Sequence, residues 1–361
     1  MAIQWFDGFE HYGANTAYLT DGAYAQVTGY SGDYGFTASN PGSGSYAWRF
    51  RTGRAAGGGN LLRKVFDTSV STVGVAIRLR LDSIPTADNS SRIWSIRDNS
   101  NTIMVSLMVQ ANGQISIRRG NTDSAYIADW PEIANSGDYK LTAGIYQHIE
   151  CKVYHHATAG TVELRVDGIT WIDENSLNTG SNNAGQFGLG GRGWTDGPSC
   201  NVDDLVIWDT TGTSNNDFIG NKAVYLQMPS ADTAVNDMTP TGGPSTAYGC
   251  VNGATPNGDT DYLDATTPAE TTELDLADLD SAVTSISAIM LFDRSRKTDS
   301  GDGNIQKSFV SGSSYSDGAD NPMAEAYAFR YDIFEVDPAT GSPMTPADWN
   351  SGAKIRLART L

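Results

Sequence analysis

Three tryptophans, Trp130, Trp171 and Trp194, stand among turn-forming residues rather than inside apolar runs. An indole face held at a loop can stack against a sugar ring, so these three are the candidate glycan-binding residues. The same placement also suits a ring that plugs the open end of a β-sandwich. Glycoside hydrolysis would need two carboxylates facing one bond. The adjacent pairs Asp173-Glu174 and Asp203-Asp204 point to opposite faces if they lie in strands, and are read as turn and surface carboxylates.

Other motifs fall short of the chemistry they suggest. Gly188-Leu189-Gly190-Gly191-Arg192-Gly193 has the spacing of a dinucleotide fingerprint. That fingerprint needs a helix N-terminus to hold the pyrophosphate, and Trp194-Thr195-Asp196-Gly197-Pro198 does not begin one, so a glycine-rich turn is expected. Gly57-Gly58-Gly59 lacks the Gly-Lys-Ser/Thr ending of a phosphate loop and is expected to be a flexible loop. Asn257-Gly258-Asp259-Thr260-Asp261 opens like a calcium loop, but Tyr262 and Pro268 occupy the positions that require Gly and Glu. No cofactor is expected, with calcium capture by an Asp-rich turn left open. Of the four histidines, His155-His156 is the one adjacent pair, and neighbours on a strand cannot readily share a metal. No catalytic residue is assigned, and the chain is expected not to be an enzyme.

The elements that must position these residues are strands. Val73 to Leu81 alternates large apolar with small or charged residues, which predicts one buried and one exposed face. Ile103 to Gln110 and Gln114 to Arg118 flank Ala111-Asn112-Gly113, a hairpin signal because Asn-Gly accepts positive φ. Tyr146 to His155 and Thr161 to Val166 form a second hairpin, with Ile149, Cys151 and Val153 on one face and Val162, Leu164 and Val166 beside them. His148 falls on the opposite face, where exposure is expected. Val202 to Trp208 supplies a further strand. Repeated antiparallel hairpins must bury a face against another sheet, so residues 1–220 are read as a jelly-roll β-sandwich and the chain as all-β.

Residues 221–361 are read as a smaller C-terminal β domain. After the polar stretch Asp209 to Asn221, composition as far as Pro268 suggests an extended linker or surface loops. Strands are predicted at Val283 to Phe292, Asn304 to Val310 and Tyr327 to Val336. Single helical turns are predicted at Glu273 to Asp280 and Pro346 to Asn350.

Composition limits the partners. The formal net charge of −18 repels phosphate backbones, which excludes nucleic acid. The three cysteines, Cys151, Cys200 and Cys250, are too few and too far apart for a disulfide framework, in keeping with folding in a reducing cytoplasm. No run is apolar enough to insert in a membrane, and the first residues lack the pattern of a secretion signal.

Some stretches also carry a family resemblance. Tyr146 to Val153 followed by Gly160-Thr161-Val162-Glu163-Leu164-Arg165-Val166-Asp167-Gly168 resembles the laminin-G and concanavalin-like jelly-roll group, in the version found in tailed-bacteriophage structural proteins. The opening Phe6-Asp7-Gly8-Phe9-Glu10-His11-Tyr12, the segment Thr210 to Gly220 and the stretch Tyr331 to Gly341 are similar to the same group. Glycosidases of this fold typically carry Glu-x-Asp-x-x-Glu on one strand, and the pattern is absent here. The resemblance implies a virion component made in the host cytoplasm, tail-associated as a fibre, tail-tip or minor tail protein. Its implied partners are other virion proteins, further copies of itself and host-surface glycan. A capsid decoration or head fibre is the alternative, and a lectin-like carbohydrate-binding module is the competing class.

Overall fold

A computed structural model describes residues 2–13, 15–28, 34–38, 46–52, 60–86, 91–120, 130–191 and 198–361. The chain is all-β and divides into two compact units, Ala2–Tyr225 and Leu226–Leu361. Gly57 to Gly59, Trp194 and the Arg192-Gly193 end of the glycine motif lie outside the described residues.

The first unit is a jelly-roll sandwich of two antiparallel sheets. In the eight-stranded sheet the order is Ile169–Leu177, Gly160–Val166, Tyr146–Tyr154, Thr72–Leu81, Ser199–Asp209, Ala47–Arg51, Tyr34–Thr37, with Ile3–Asp7 also pairing Ser199–Asp209. In the seven-stranded sheet it is Glu132–Asn135, Ile115–Arg119, Ile103–Val109, Ser91–Arg97, Ala184–Gly191, Asn60–Val70, Gln26–Thr28. Both predicted hairpins form. In the second, Ile149 faces Val166, Cys151 faces Leu164 and Val153 faces Val162, all buried. Period-two patterning sends these six side chains to one side, and burial makes Cys151 an inert free thiol whose ionisation is pushed far up.

The other side of the eight-stranded sheet is not open, contrary to the alternation in Val73 to Leu81. Gly74 and Ala76 are buried as well as Val73, Val75 and Ile77. The cover is the polar stretch after Asp209, which runs as a strap across the sheet. The Glu150 carboxylate accepts from the backbone N–H of Ile219 (2.9 Å) and Gly220 (3.0 Å), and Asp204 accepts from Val224 N–H (2.6 Å). Phe218 meets Trp208 edge-on at 6.2 Å and lies under the Arg165 guanidinium at 3.7 Å. A segment with few apolar residues is held because buried carboxylates use its backbone donors.

Burial on this sheet corrects two further expectations. His148 is buried, and burial together with Arg78 pushes its pKa down to about 4. Asp203 and Asp204 are buried too, not surface carboxylates. The chain bulges between Asp203 and Val206, with Asp204 at φ 50°, which turns Asp204 onto Arg78 at 2.7 Å.

The second unit holds a five-stranded antiparallel sheet ordered Pro229–Asn236, Thr271–Leu276, Ala353–Arg359, Asn304–Ser311, Ser314–Pro322. Two ribbons accompany it, Thr239–Thr241 with Tyr262–Asp264 and Ile289–Ser295 with Ala328–Phe334. Its core gathers Ile289, Leu291, Phe309, Phe334, Met344, Trp349 and Ala353. The stretch up to Pro268 is thus partly strand rather than linker. Glu273 to Asp280 is not a helical turn: Thr272 and Leu274, both fully buried, belong to a strand paired on both edges. Pro346–Asn350 is helical as predicted, opened by a capping box between Thr345 and Asp348 with Pro346 in the first turn.

Candidate functional site

The seven-stranded sheet has two unlike faces. One cross-strand row reads Val27, Leu62, Leu189, Trp94, Leu107, Ile117, Ala134 and is wholly apolar. The next row reads Gln26, Arg63, Gly188, Ser95, Ser106, Arg118, Glu132 and carries no apolar side chain larger than glycine. Consecutive rows of a pleated sheet point to opposite sides, so the apolar row packs into the sandwich and the polar row faces away from it.

Two neighbouring rows on the outward face mix polar side chains with apolar ones, Val65 and Met108 among the latter. Gln186 pairs with Arg97, and Arg92 with Met108 and then Ser116. Four guanidinium groups, from Arg63, Arg92, Arg97 and Arg118, therefore share one face of a chain whose net charge is −18. Arg63 Nη1 donates to Gln186 Oε1 (3.2 Å), Arg97 Nε to Ser95 Oγ (3.3 Å) and Arg92 Nε to the Gly190 carbonyl (3.3 Å). Arg118 lies 3.8 Å from Glu132, which also accepts from the Gln110 side-chain amide at 2.8 Å. Between Arg63 and Arg118 the row crosses four strand spacings, about 19 Å at the usual interval.

Several groups on this face lack partners. The hydroxyl of Ser106, on a fully buried residue, and the Nε of Arg63 make no hydrogen bond, and neither does the indole N–H of Trp130. An unpaired buried hydroxyl or N–H costs about 1–3 kcal/mol, and these three atoms are themselves closed to solvent.

Glycine shapes the floor. In Ala184–Gly191, Phe187 and Leu189 enter the core while Gly188 and Gly190 face the other way. A Cβ on Gly188 would meet Leu61 at 2.8 Å and the Ser95 hydroxyl at 3.0 Å. The glycine motif is therefore largely strand, not a turn, and its spacing of two clears room for Arg97 and Ser95.

The three candidate tryptophans part ways. Trp130 does lie at this face, 5.7 Å from the Arg92 guanidinium and with its carbonyl accepting from Arg118 Nη1 at 3.4 Å. It packs with Ile103 and Met108 and is 6% exposed, so its ring offers no open stacking surface. Trp171 is inside the edge strand Ile169–Leu177 of the other sheet, not in a turn, and is stacked on Tyr139 at 5.4 Å and 12°. Trp194 lies outside the described residues. Sequence reasoning passed over the arginines, whose signal was available: Ser95 and Arg97 in Ser91–Arg97, and Ser116 and Arg118 in Ile115–Arg119, recur at spacing two opposite apolar residues.

The calcium-like stretch is engaged elsewhere. Asp259 accepts from Tyr327 Oη (2.6 Å) and Arg296 (3.0 Å), and Asp261 from the Asn257 amide. Among the described residues no group of three or more His, Cys, Asp or Glu is arranged to hold a metal.

No family model matches the sequence, and no curated protein matches it. Among solved structures, a cellulose-induced protein is similar over 51% of this chain and 88% of its own, at 13% identity and a TM-score of 0.39. An alginate lyase is similar over 58% and 96%, at 11% identity and a TM-score of 0.40. The carbohydrate recognition domain of Emp46p, in its potassium-bound form, is similar over 46% and 84%, at 7% identity and a TM-score of 0.34.

Proposed function

We propose that the first unit is a carbohydrate-binding module that takes an acidic polysaccharide along the outward face of the seven-stranded sheet. The observation that carries this is the polar row Gln26, Arg63, Gly188, Ser95, Ser106, Arg118, Glu132, in which Gln26, Arg63, Arg118 and Glu132 reach solvent over a buried floor of Ser95 and Ser106. Guanidinium forks of Arg63 and Arg118 match carboxylate or sulfate groups, while the Gln26 amide matches sugar hydroxyls. A row about 19 Å long suits an extended chain of several sugar units better than a single small anion. Binding without turnover is the reading, since Glu132 is the single carboxylate among the residues named on this face.

Isothermal titration with a polyuronate, a sulfated glycan and a neutral glucan tests it. The acidic chains should bind and the neutral one should not. Removing Arg63 or Arg118 should weaken binding roughly tenfold to a hundredfold, the effect of losing a charge-assisted hydrogen bond of about 1.5–3 kcal/mol. Equal affinity for the neutral glucan, or no effect of either substitution, would overturn the proposal.

A second reading places the protein in a tailed-phage particle, tail-associated or as a head decoration, where glycan binding would serve host contact. It is supported by the resemblance of Tyr146 to Gly168 and of the opening segment to phage structural proteins. Electron microscopy of such a particle, with density for this chain on tail, head or neither, decides it.

A further inference from the structure

The core of the second unit contains a charged triad that no binding role uses. Lys307 lies on Asn304–Ser311, in the interior of the five-stranded sheet, and its side chain is 1% exposed. Its Nζ is 2.7 Å from Asp293 Oδ1 and 3.0 Å from Asp332 Oδ2. The two carboxylates stand on the paired strands Ile289–Ser295 and Ala328–Phe334. Asp293 faces Arg330 and Asp332 faces Leu291, so the register puts both carboxylates on the face that carries Leu291. Phe309, two residues from Lys307, meets Phe334 on the same side at 6.1 Å. One amine and two carboxyl groups thus share the edge of an apolar core.

The two aspartates are held differently. Asp332 accepts from Ala319 N–H at 2.8 Å, and it fits because residue 318 is glycine: a Cβ there would lie 2.4 Å from the Asp332 carboxyl carbon. Asp293 touches Lys307 through Oδ1, while its buried Oδ2 makes no hydrogen bond. Asp332 is placed as a fixed proton carrier, and Asp293 as a carboxyl group whose second oxygen can leave.

We propose that Lys307 and Asp293 condense to an isopeptide cross-link, with Asp332 moving the protons. Asp332 takes a proton from the Lys307 ammonium, and the freed Nζ lone pair attacks the carboxyl carbon of Asp293. A new C–N bond forms and a C–O bond of Asp293 breaks. The two protons shed by nitrogen leave with that oxygen as one water, and one hydrogen stays on the amide. No oxidant or co-reactant is required. Contact favours the step, because an amine and a carboxyl group held 2.7 Å apart need no encounter. The product replaces a buried ion pair with an amide whose N–H can donate to Asp332.

Intact-protein mass spectrometry of the full chain tests this. The expected result is a mass lower than that of the sequence by one water, with trypsin failing to cleave after Lys307 and the fragment spectrum joining Lys307 to Asp293. Lys307→Arg keeps the positive charge but presents no amine, and should restore the full mass. Asp332→Asn should slow or abolish the cross-link. Circular dichroism shows whether each variant folds, and parent protein that keeps the full mass after long incubation overturns the proposal without any variant. Loss of water mapped to another residue, or a folded Asp332→Asn protein cross-linked as fully as the parent, also overturns it.

Discussion

Gly74 is directly opposite Trp208 in the eight-stranded sheet, and replacing it by alanine tests how tightly the strap closes that face. A Cβ at Gly74 would lie 2.0, 2.3 and 2.5 Å from three atoms of the indole ring. The ring has nowhere to go: Trp208 is fully buried, Phe218 meets it on the strap side, and its backbone opposes Ile3 on the neighbouring strand. Overpacking of this kind costs about 1–3 kcal/mol, with the upper end expected for a rigid ring against backbone. For a unit of this size each kcal/mol shifts the melting temperature by about 2–4 °C, so Gly74→Ala should melt about 5–10 °C lower. Differential scanning calorimetry reads the shift, and near-UV circular dichroism reads the displaced indole. Adding Trp208→Leu should recover part of the loss, because the flexible side chain yields where the ring cannot. A Gly74→Ala protein that melts with the parent and keeps its near-UV spectrum would refute the packing described here.

Three further outcomes can be checked. Burial, and then the neighbouring Asp204, push the Asp203 carboxyl up to about 8. A raised folded-state pKa adds stability at low pH that is lost as pH climbs, here from about 4 through about 8. Asp203→Asn should therefore gain on the parent across that window, by at most about 1.4 kcal/mol per pH unit, in urea titrations at stepped pH. Thr345→Ala removes the capping box of Pro346–Asn350 and should cost the second unit about 1 kcal/mol by the same titrations. A thiol reagent should label none of Cys151, Cys200 and Cys250 in native protein and all three after denaturation, since all are buried and burial raises each thiol's pKa.

Much of the strand framework was legible because its signals are local. The hairpin at Asn112-Gly113, the face shared by Ile149, Cys151 and Val153, and the capped turn at Thr345-Pro346 each depend on residues a few positions apart. Glu273 to Asp280 was expected as a helical turn, and pairing of Thr271–Leu276 with Pro229–Asn236 and Ala353–Arg359 decided for strand over its first part.

The sequence by itself determined an all-β chain with a sandwich in its first part, acidic overall. Tertiary structure alone decided where its chemistry sits. Arg63, Ser95, Ser106 and Arg118 come from strands far apart in the chain and meet on one row through sheet register. Lys307 meets Asp293 and Asp332 in the same way, across two sheets. The strap seated on Glu150 and Asp204 is polar in sequence and is held through its backbone donors, which leave no trace in side-chain identity. Period and turn chemistry are written over a few residues, whereas register between distant strands is fixed by how both faces of a sheet are covered.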